Sequence, residues 1–301
     1  MSLFRARNII ITTAIITCGI GIAISQNDKL SCSLSPNCYD MSEIKCNSEV
    51  ISVCTDKNGN PINGKINKYY NNGKLGMTIS LKNGMHHGKT QMYHKNGKVA
   101  KLITFENGIP NGYFADYYSN GQLQKFGNNV NGQILGESKK YYEDGNIKAE
   151  SNISAIAEVN NRKLLTGNEK KYYKDGTLKQ ETILERGNGQ FKMYHPNGLL
   201  SCQGEYLNGM KNGTYKDYYD DGKLRAVYNM VEGKINGKST SYYDDGQTIL
   251  MIASNKDGVR HGEVKAFARD GKLKEIAVYD NGIYVRHTFI SNSQETKILN
   301  N

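Results

Sequence analysis

Tryptophan is absent from the 301 residues, proline occurs only four times, and apolar residues make up 38%. That apolar share is below the globular norm, so the chain cannot fill a thick core. Its main packing material is 21 tyrosines. There is no run of five Lys or Arg, which excludes a basic arm for nucleic acid despite a formal charge of +10. There is no Gly-x-Ser-x-Gly elbow, no His-Glu-x-x-His and no phosphate-cradling loop. The expectation is therefore a protein that is not an enzyme and holds no cofactor. A metal group would have to be built from His86, His87 and His94. His87 and His261, however, occupy the loop slot held by Asn111, Asn212 and Asn236 in other parts of the chain, so no metal site is expected.

One long uncharged apolar run exists, Ile9 to Ile24, preceded by Arg5 and Arg7 and followed by Ser25. With small residues at Ala23 and Ser25, residues 1–25 read as a secretory signal, the alternative being an uncleaved anchor. The mature chain is then exported: periplasmic, secreted or at the cell surface. Its charge becomes +8, spread as single lysines and short pairs over a solvated surface. Cys32, Cys38, Cys46 and Cys54 follow within residues 26–57. An even number in an exported chain predicts two disulfides, with all three connectivities open. Zinc is disfavoured because no Cys-x-x-Cys and no nearby His is present. This segment is expected to cap the array that follows. Cys202 remains as a small buried thiol.

What the chain has in abundance is one signature. Tyr-Tyr-x-Asn/Asp-Gly and its variants begin at Tyr69, Tyr93, Tyr117, Tyr141, Tyr172, Tyr194, Tyr218, Tyr242 and Phe267, at intervals of 24, 24, 24, 31, 22, 24, 24 and 25 residues. A Gly stands five residues before each first aromatic, and an aliphatic follows the Asn/Asp-Gly by two in every copy but the eighth. Such periodicity marks a repeat architecture and overrides the two-domain reading of the length. Alternation such as Leu75, Met77, Ile79 and Leu81 has the strand period, and Asn-Gly between such runs signals hairpins. The fold class is thus all-β: tandem antiparallel hairpins, about nine with a period of 24, over residues 58–282, forming one elongated twisted sheet or open roll. Residues 283–301 add a strand, Ile283 to Ile290, and a polar tail. The long interval carries an insertion near 151–166, which either lengthens a hairpin or divides the array.

Pro196 selects the turn. In a two-residue loop it would lack the N–H that closes the turn; in a three-residue loop it sits at the second position of a type I turn, with Gly198 in the left-handed bulge. Applied to all nine copies, this puts Tyr69 opposite Leu75 and Tyr70 opposite Lys74. The first aromatics vary least, so Tyr69, Tyr93, Tyr117, Tyr141, Tyr172, Tyr194, Tyr218, Tyr242 and Phe267 are expected to form the core stripe. The second aromatics Tyr70, Tyr118, Tyr142, Tyr173, Tyr219 and Tyr243 then fall on a partner-binding face.

The unit Gly-x4-Tyr-Tyr-x-Asn/Asp-Gly-x-Leu, followed by Asn-Gly-x3-Gly, resembles the MORN-repeat variant of bacterial proteins often grouped as antitoxin-like. The resemblance covers Asn58 to Gly282. It implies an interaction protein: a binder of a protein partner, with a toxin as one form of that partner. The rival expectation is an envelope or membrane-surface scaffold that binds anionic lipid or glycan.

Overall fold

The computed structural model describes Ile44–Cys46, Val53–Ile290 and the backbone of Thr296–Asn300. The segment read as a signal, together with Cys32 and Cys38, lies outside the described residues. The fold is all-β, and its hairpins form two compact units. The first runs to Gly97 and includes Phe105–Ile109; the second comprises Lys98–Thr104 and everything from Pro110 on.

The predicted three-residue turn is present. In the first hairpin, strands Gly64–Tyr69 and Leu75–Lys82, Tyr70 N–H donates to the Lys74 carbonyl at 2.8 Å and Gly73 N–H to the Tyr70 carbonyl at 2.9 Å. Tyr69 pairs with Leu75, as the loop length dictates. The same closure holds at His195–Leu199, where Pro196 takes its allowed place. The eighth copy departs from it. Tyr243 N–H bonds to Thr248, one residue later, because Gln247 lengthens the loop and moves the pairing partner of Tyr242 to Ile249.

Between copies the turn is different. Pairs such as Leu207 with Met210 and Val231 with Lys234 close two-residue loops. Both loop residues have positive φ, for example 51° at Asn208 and 76° at Gly209. That is the type I′ turn, whose twist matches the strands and which favours Asn-Gly. Glu232 and Arg186 hold the first position at 49° and 48°, a conformation that disfavours an ordinary L side chain. Glu232→Asn is therefore expected to raise stability by about 0.5–1 kcal/mol in urea melts. A loss of stability would show that the Glu232 side chain contributes more than its backbone strain costs.

The first repeat and those from the third onward also contain a bulge. Pairing runs Asp217 with Ala226, then Tyr218 with Leu224, so that Arg225 is skipped; the equivalent residue is skipped in the others, for example Lys148, Lys179 and Ser201. In the second unit a further slip occurs at Gly213, Gly237 and Gly262, the glycines that open repeats, all with positive φ. Bulges of this kind bend and twist a strand pair.

The insertion lengthens one hairpin. Strand Ile147–Val159 pairs with Arg162–Tyr172 through an Asn160-Asn161 turn. The division between compact units falls elsewhere, at Gly97–Pro110. Ile283–Ile290 is the strand read from the sequence, and Thr296–Asn300, read as part of a polar tail, pairs with it as a further strand.

The fully buried positions correct one expectation. The first aromatics are only half-buried. The buried stripe lies two residues after the repeat glycine, on the opposite face of the strand: Ile66 in the first unit, and Phe114, Phe191, Tyr215 and Val264 in the second. Phe191, Tyr206, Tyr215, Leu184 and Met230 form the main cluster, with Tyr215 fully buried. The large rings fit because the residue beneath them is glycine. A Cβ at Gly204 would lie 2.5 Å from Cε1 of Tyr215, and one at Gly127 would lie 2.8 Å from the same atom of Phe114. Neither glycine belongs to the repeat signature. A glycine inside a strand signals close approach, and that was the available clue.

Candidate binding face

The second aromatics hold the repeats together. Each sends its hydroxyl across to the backbone carbonyl of the first aromatic in the next copy. Tyr118 donates to Tyr141 at 2.8 Å, Tyr142 to Tyr172 at 2.9 Å, Tyr173 to Tyr194 at 2.9 Å, Tyr219 to Tyr242 at 2.7 Å and Tyr243 to Phe267 at 2.7 Å. Tyr70 does the same to Tyr93 within the first unit. His195 replaces the phenol with its Nε2, 3.1 Å from the Tyr218 carbonyl. Cations cover several of the rings: Lys148 over Tyr142 at 5.3 Å, Lys179 over Tyr173 at 5.0 Å and Arg269 over Tyr243 at 4.7 Å. Lys148 and Lys179 are the residues skipped by the bulge, and this is how the bulge aims them. The six tyrosines singled out for partner contact thus have hydroxyls committed inside the array, and their half-buried rings share a face with the buried stripe.

The loops stack in the same register. Asn72, Asn120, Asn146 and Asn197 donate their side-chain amides to the turn carbonyls of Lys95, Glu143, Lys174 and Asp220. On the other edge, the residue before a repeat glycine accepts the next type I′ turn's N–H. Asn188 does so from Asn208 at 2.8 Å, and His261 Nδ1 does so from Asn281 at 3.2 Å. This explains why that slot holds Asn or His in seven of the nine copies; Thr166 accepts in the same way through its hydroxyl, from Arg186 N–H at 3.0 Å, and Leu135 has no side-chain acceptor.

The first aromatics face the other way, among polar groups. Tyr194 donates to Glu181 at 2.7 Å, Tyr172 donates to Glu150, and Tyr218 accepts from Gln203 at 2.9 Å. Desolvation, with the carboxylate beside each, pushes the phenols of Tyr172 and Tyr194 up to about 12. They are held neutral and fixed. Two residues before these rings stand Lys170, Lys192 and Lys216, all exposed. Beside Lys192 and Lys216, two residues and more along the strands from Tyr194 and Tyr218, lies a cavity of about 270 Å³ lined by Gln190, Phe191, Lys192, Gln203, Gly204, Glu205, Thr214 and Lys216. Earlier in the second unit, Tyr113, Phe126 and Tyr141 stack at centroid distances of 6.3 and 6.4 Å.

Cys46 and Cys54 are cross-strand partners joined by a disulfide, with Cα atoms 4.1 Å apart. Cys54 is buried with Ile62, Ile66 and Leu81, and Ile44 packs against them. Cys54 N–H reaches the Gly84 carbonyl at 2.8 Å, which docks this part of the N-terminal segment on the first type I′ turn. Cys202 is free and half-buried; burial, then Asp217, pushes its thiol up to about 12, away from reactivity. His86 packs on Phe105 at 4.9 Å, and burial lowers its pKa. Among the described residues no group of three His, Cys, Asp or Glu is placed to hold a metal.

Five segments, residues 87–107, 134–154, 165–183, 211–231 and 260–281, match the family model described as MORN repeat variant. No curated protein matches the chain. Among solved structures, TcdB2-TccC3 is 12% identical with a TM-score of 0.18, covering 81% of this chain. The Photorhabdus luminescens Tc holotoxin pore is 13% identical with a TM-score of 0.18, covering 82%. This chain spans 15% of the length of each of those chains, and a likeness at that TM-score carries no argument about function.

Proposed function

Because this chain is a MORN-repeat-variant protein, we propose that it acts by binding a protein partner outside the cytoplasm, and not by catalysis. An immunity- or antitoxin-like role, with a toxin as the partner, is the form the family resemblance favours. The observation that carries the reading is the first-aromatic face of the second unit. There Lys170 and Tyr172, Lys192 and Tyr194, and Lys216 and Tyr218 repeat the same pair in successive hairpins, with exposed ammonium groups beside rings held by hydrogen bonds. Rigid aromatics give contact area at low entropic cost, and lysines steer an acidic partner. The apolar run Ile9 to Ile24 and the Cys46–Cys54 disulfide support an oxidising location.

The test is affinity capture with the full chain and with Lys170→Glu, Lys192→Glu and Lys216→Glu combined. These side chains are exposed, so the fold is expected to persist by circular dichroism. Loss of at least tenfold in capture is expected. Undiminished capture by the triple variant would move the contact surface elsewhere. Salt-sensitive binding to anionic vesicles, with no protein captured, would replace the reading with an envelope scaffold.

A further inference from the structure

The row Tyr172, Tyr194 and Tyr218 has a pitch. Each ring is two strands from the next. At ~4.8 Å between strands, the rings recur about every 9.6 Å along the direction that crosses the sheet. A polyproline II helix repeats every three residues at ~3.1 Å rise, or about 9.3 Å per turn. A segment in that conformation, laid across the strands, returns the same side chain to each successive ring. Aromatic-lined grooves are the usual receptors for it, because the segment is ordered before it binds.

The hydrogen-bonding chemistry agrees. A proline-rich segment offers carbonyl acceptors and few N–H donors. The cavity two residues along the strands from Tyr194 and Tyr218 is rich in donors: the ammonium groups of Lys192 and Lys216, the amides of Gln190 and Gln203, and the Thr214 hydroxyl, against one carboxylate, Glu205, with Phe191 and Gly204 completing the lining. The three rings are also held alike, each bonded to the same position of the preceding hairpin, Glu150, Glu181 or Gln203. Sheet twist of roughly 20–25° per strand turns the row away from a straight ligand, which limits the match to about three rings. Tyr242 and Phe267 have no such bond to the equivalent residues, Val227 and Ile252, whose side chains cannot make one.

We infer that Tyr172, Tyr194 and Tyr218, with the cavity two residues along the strands from the last two, bind a proline-rich segment of about nine residues in the polyproline II conformation. This rests on the protein-partner reading and names the kind of segment the partner presents. The experiment uses the full chain and fluorescein-labelled (Pro-Pro-Gln)3, followed by anisotropy, against a flexible (Gly-Ser-Gln)3 control. Saturable binding at least tenfold tighter than the control is expected, together with a tenfold loss in Tyr194→Ser and no change in Lys234→Ala at an exposed turn. Circular dichroism confirms that each variant is folded; if Tyr194→Ser unfolds, Lys216→Glu supplies the same comparison. Equal binding of the two peptides, or an equal response of the ring and turn variants, overturns the inference. If either occurs while the full chain still captures its partner, only the proline-rich segment is wrong. If capture also fails, the protein-partner reading falls with it.

Discussion

Tyr215→Ala should destabilise the second compact unit by about 3–5 kcal/mol, because it removes the most deeply buried ring of the main cluster. Phe191 and Tyr228 stack around that ring at 5.5 and 5.8 Å, and its hydroxyl donates to the Glu205 carbonyl. Its placement depends on Gly204, where a Cβ would sit 2.5 Å from the ring and 2.6 Å from Cζ. Gly204→Ala alone should therefore cost about 1–3 kcal/mol through overpacking. In the Tyr215→Ala background that penalty should vanish, giving a coupling of about 1 kcal/mol or more in a double-mutant cycle read by denaturant melts. Strict additivity would mean that the ring and the glycine do not share the space.

The second large effect is expected from the ladder of phenols. Tyr142→Phe, Tyr173→Phe and Tyr219→Phe each remove one O–H and leave one carbonyl without that donor, while the ring and the packing stay. A net hydrogen bond contributes about 1 kcal/mol. In a stacked array neighbouring interfaces contribute nearly independently, so the triple variant should lose about 3 kcal/mol. Partner capture at a concentration well below the melting range should be retained, because these rings share the face of the buried stripe and not the face of Lys170, Lys192 and Lys216. A combined loss under about 0.5 kcal/mol would show that water replaces the phenols and that the ladder does not hold the repeats together. Loss of capture in a fully folded triple variant would return the binding role to the second aromatics.

Local order was legible because it is set by residues close in sequence. Asn-Gly, Pro196 and period-two alternation fix turn type, loop length and cross-strand pairing through backbone sterics alone, and the pairing of Tyr69 with Leu75 follows from them. Gln247 shows the converse: one added loop residue shifts the eighth pairing by one. The repeat count, the strand at Ile283–Ile290 and the all-β class are of the same kind.

Which face packs was decided only in three dimensions. Constancy at the first aromatic suggested a packed stripe, yet that constancy goes with a half-buried ring on a polar face. The buried position varies from Ile66 through Thr90 and Phe114 to Tyr215, and two of its large rings are matched in volume by glycines across the strand, Gly127 under Phe114 and Gly204 against Tyr215. Volume complementarity is a property of pairs, so it leaves no constant letter at either position. The ladder of phenols was hidden for a related reason. Its acceptors are backbone carbonyls one repeat away, and a carbonyl is the same at every residue, so only the register of stacked hairpins brings Tyr142 to the Tyr172 carbonyl.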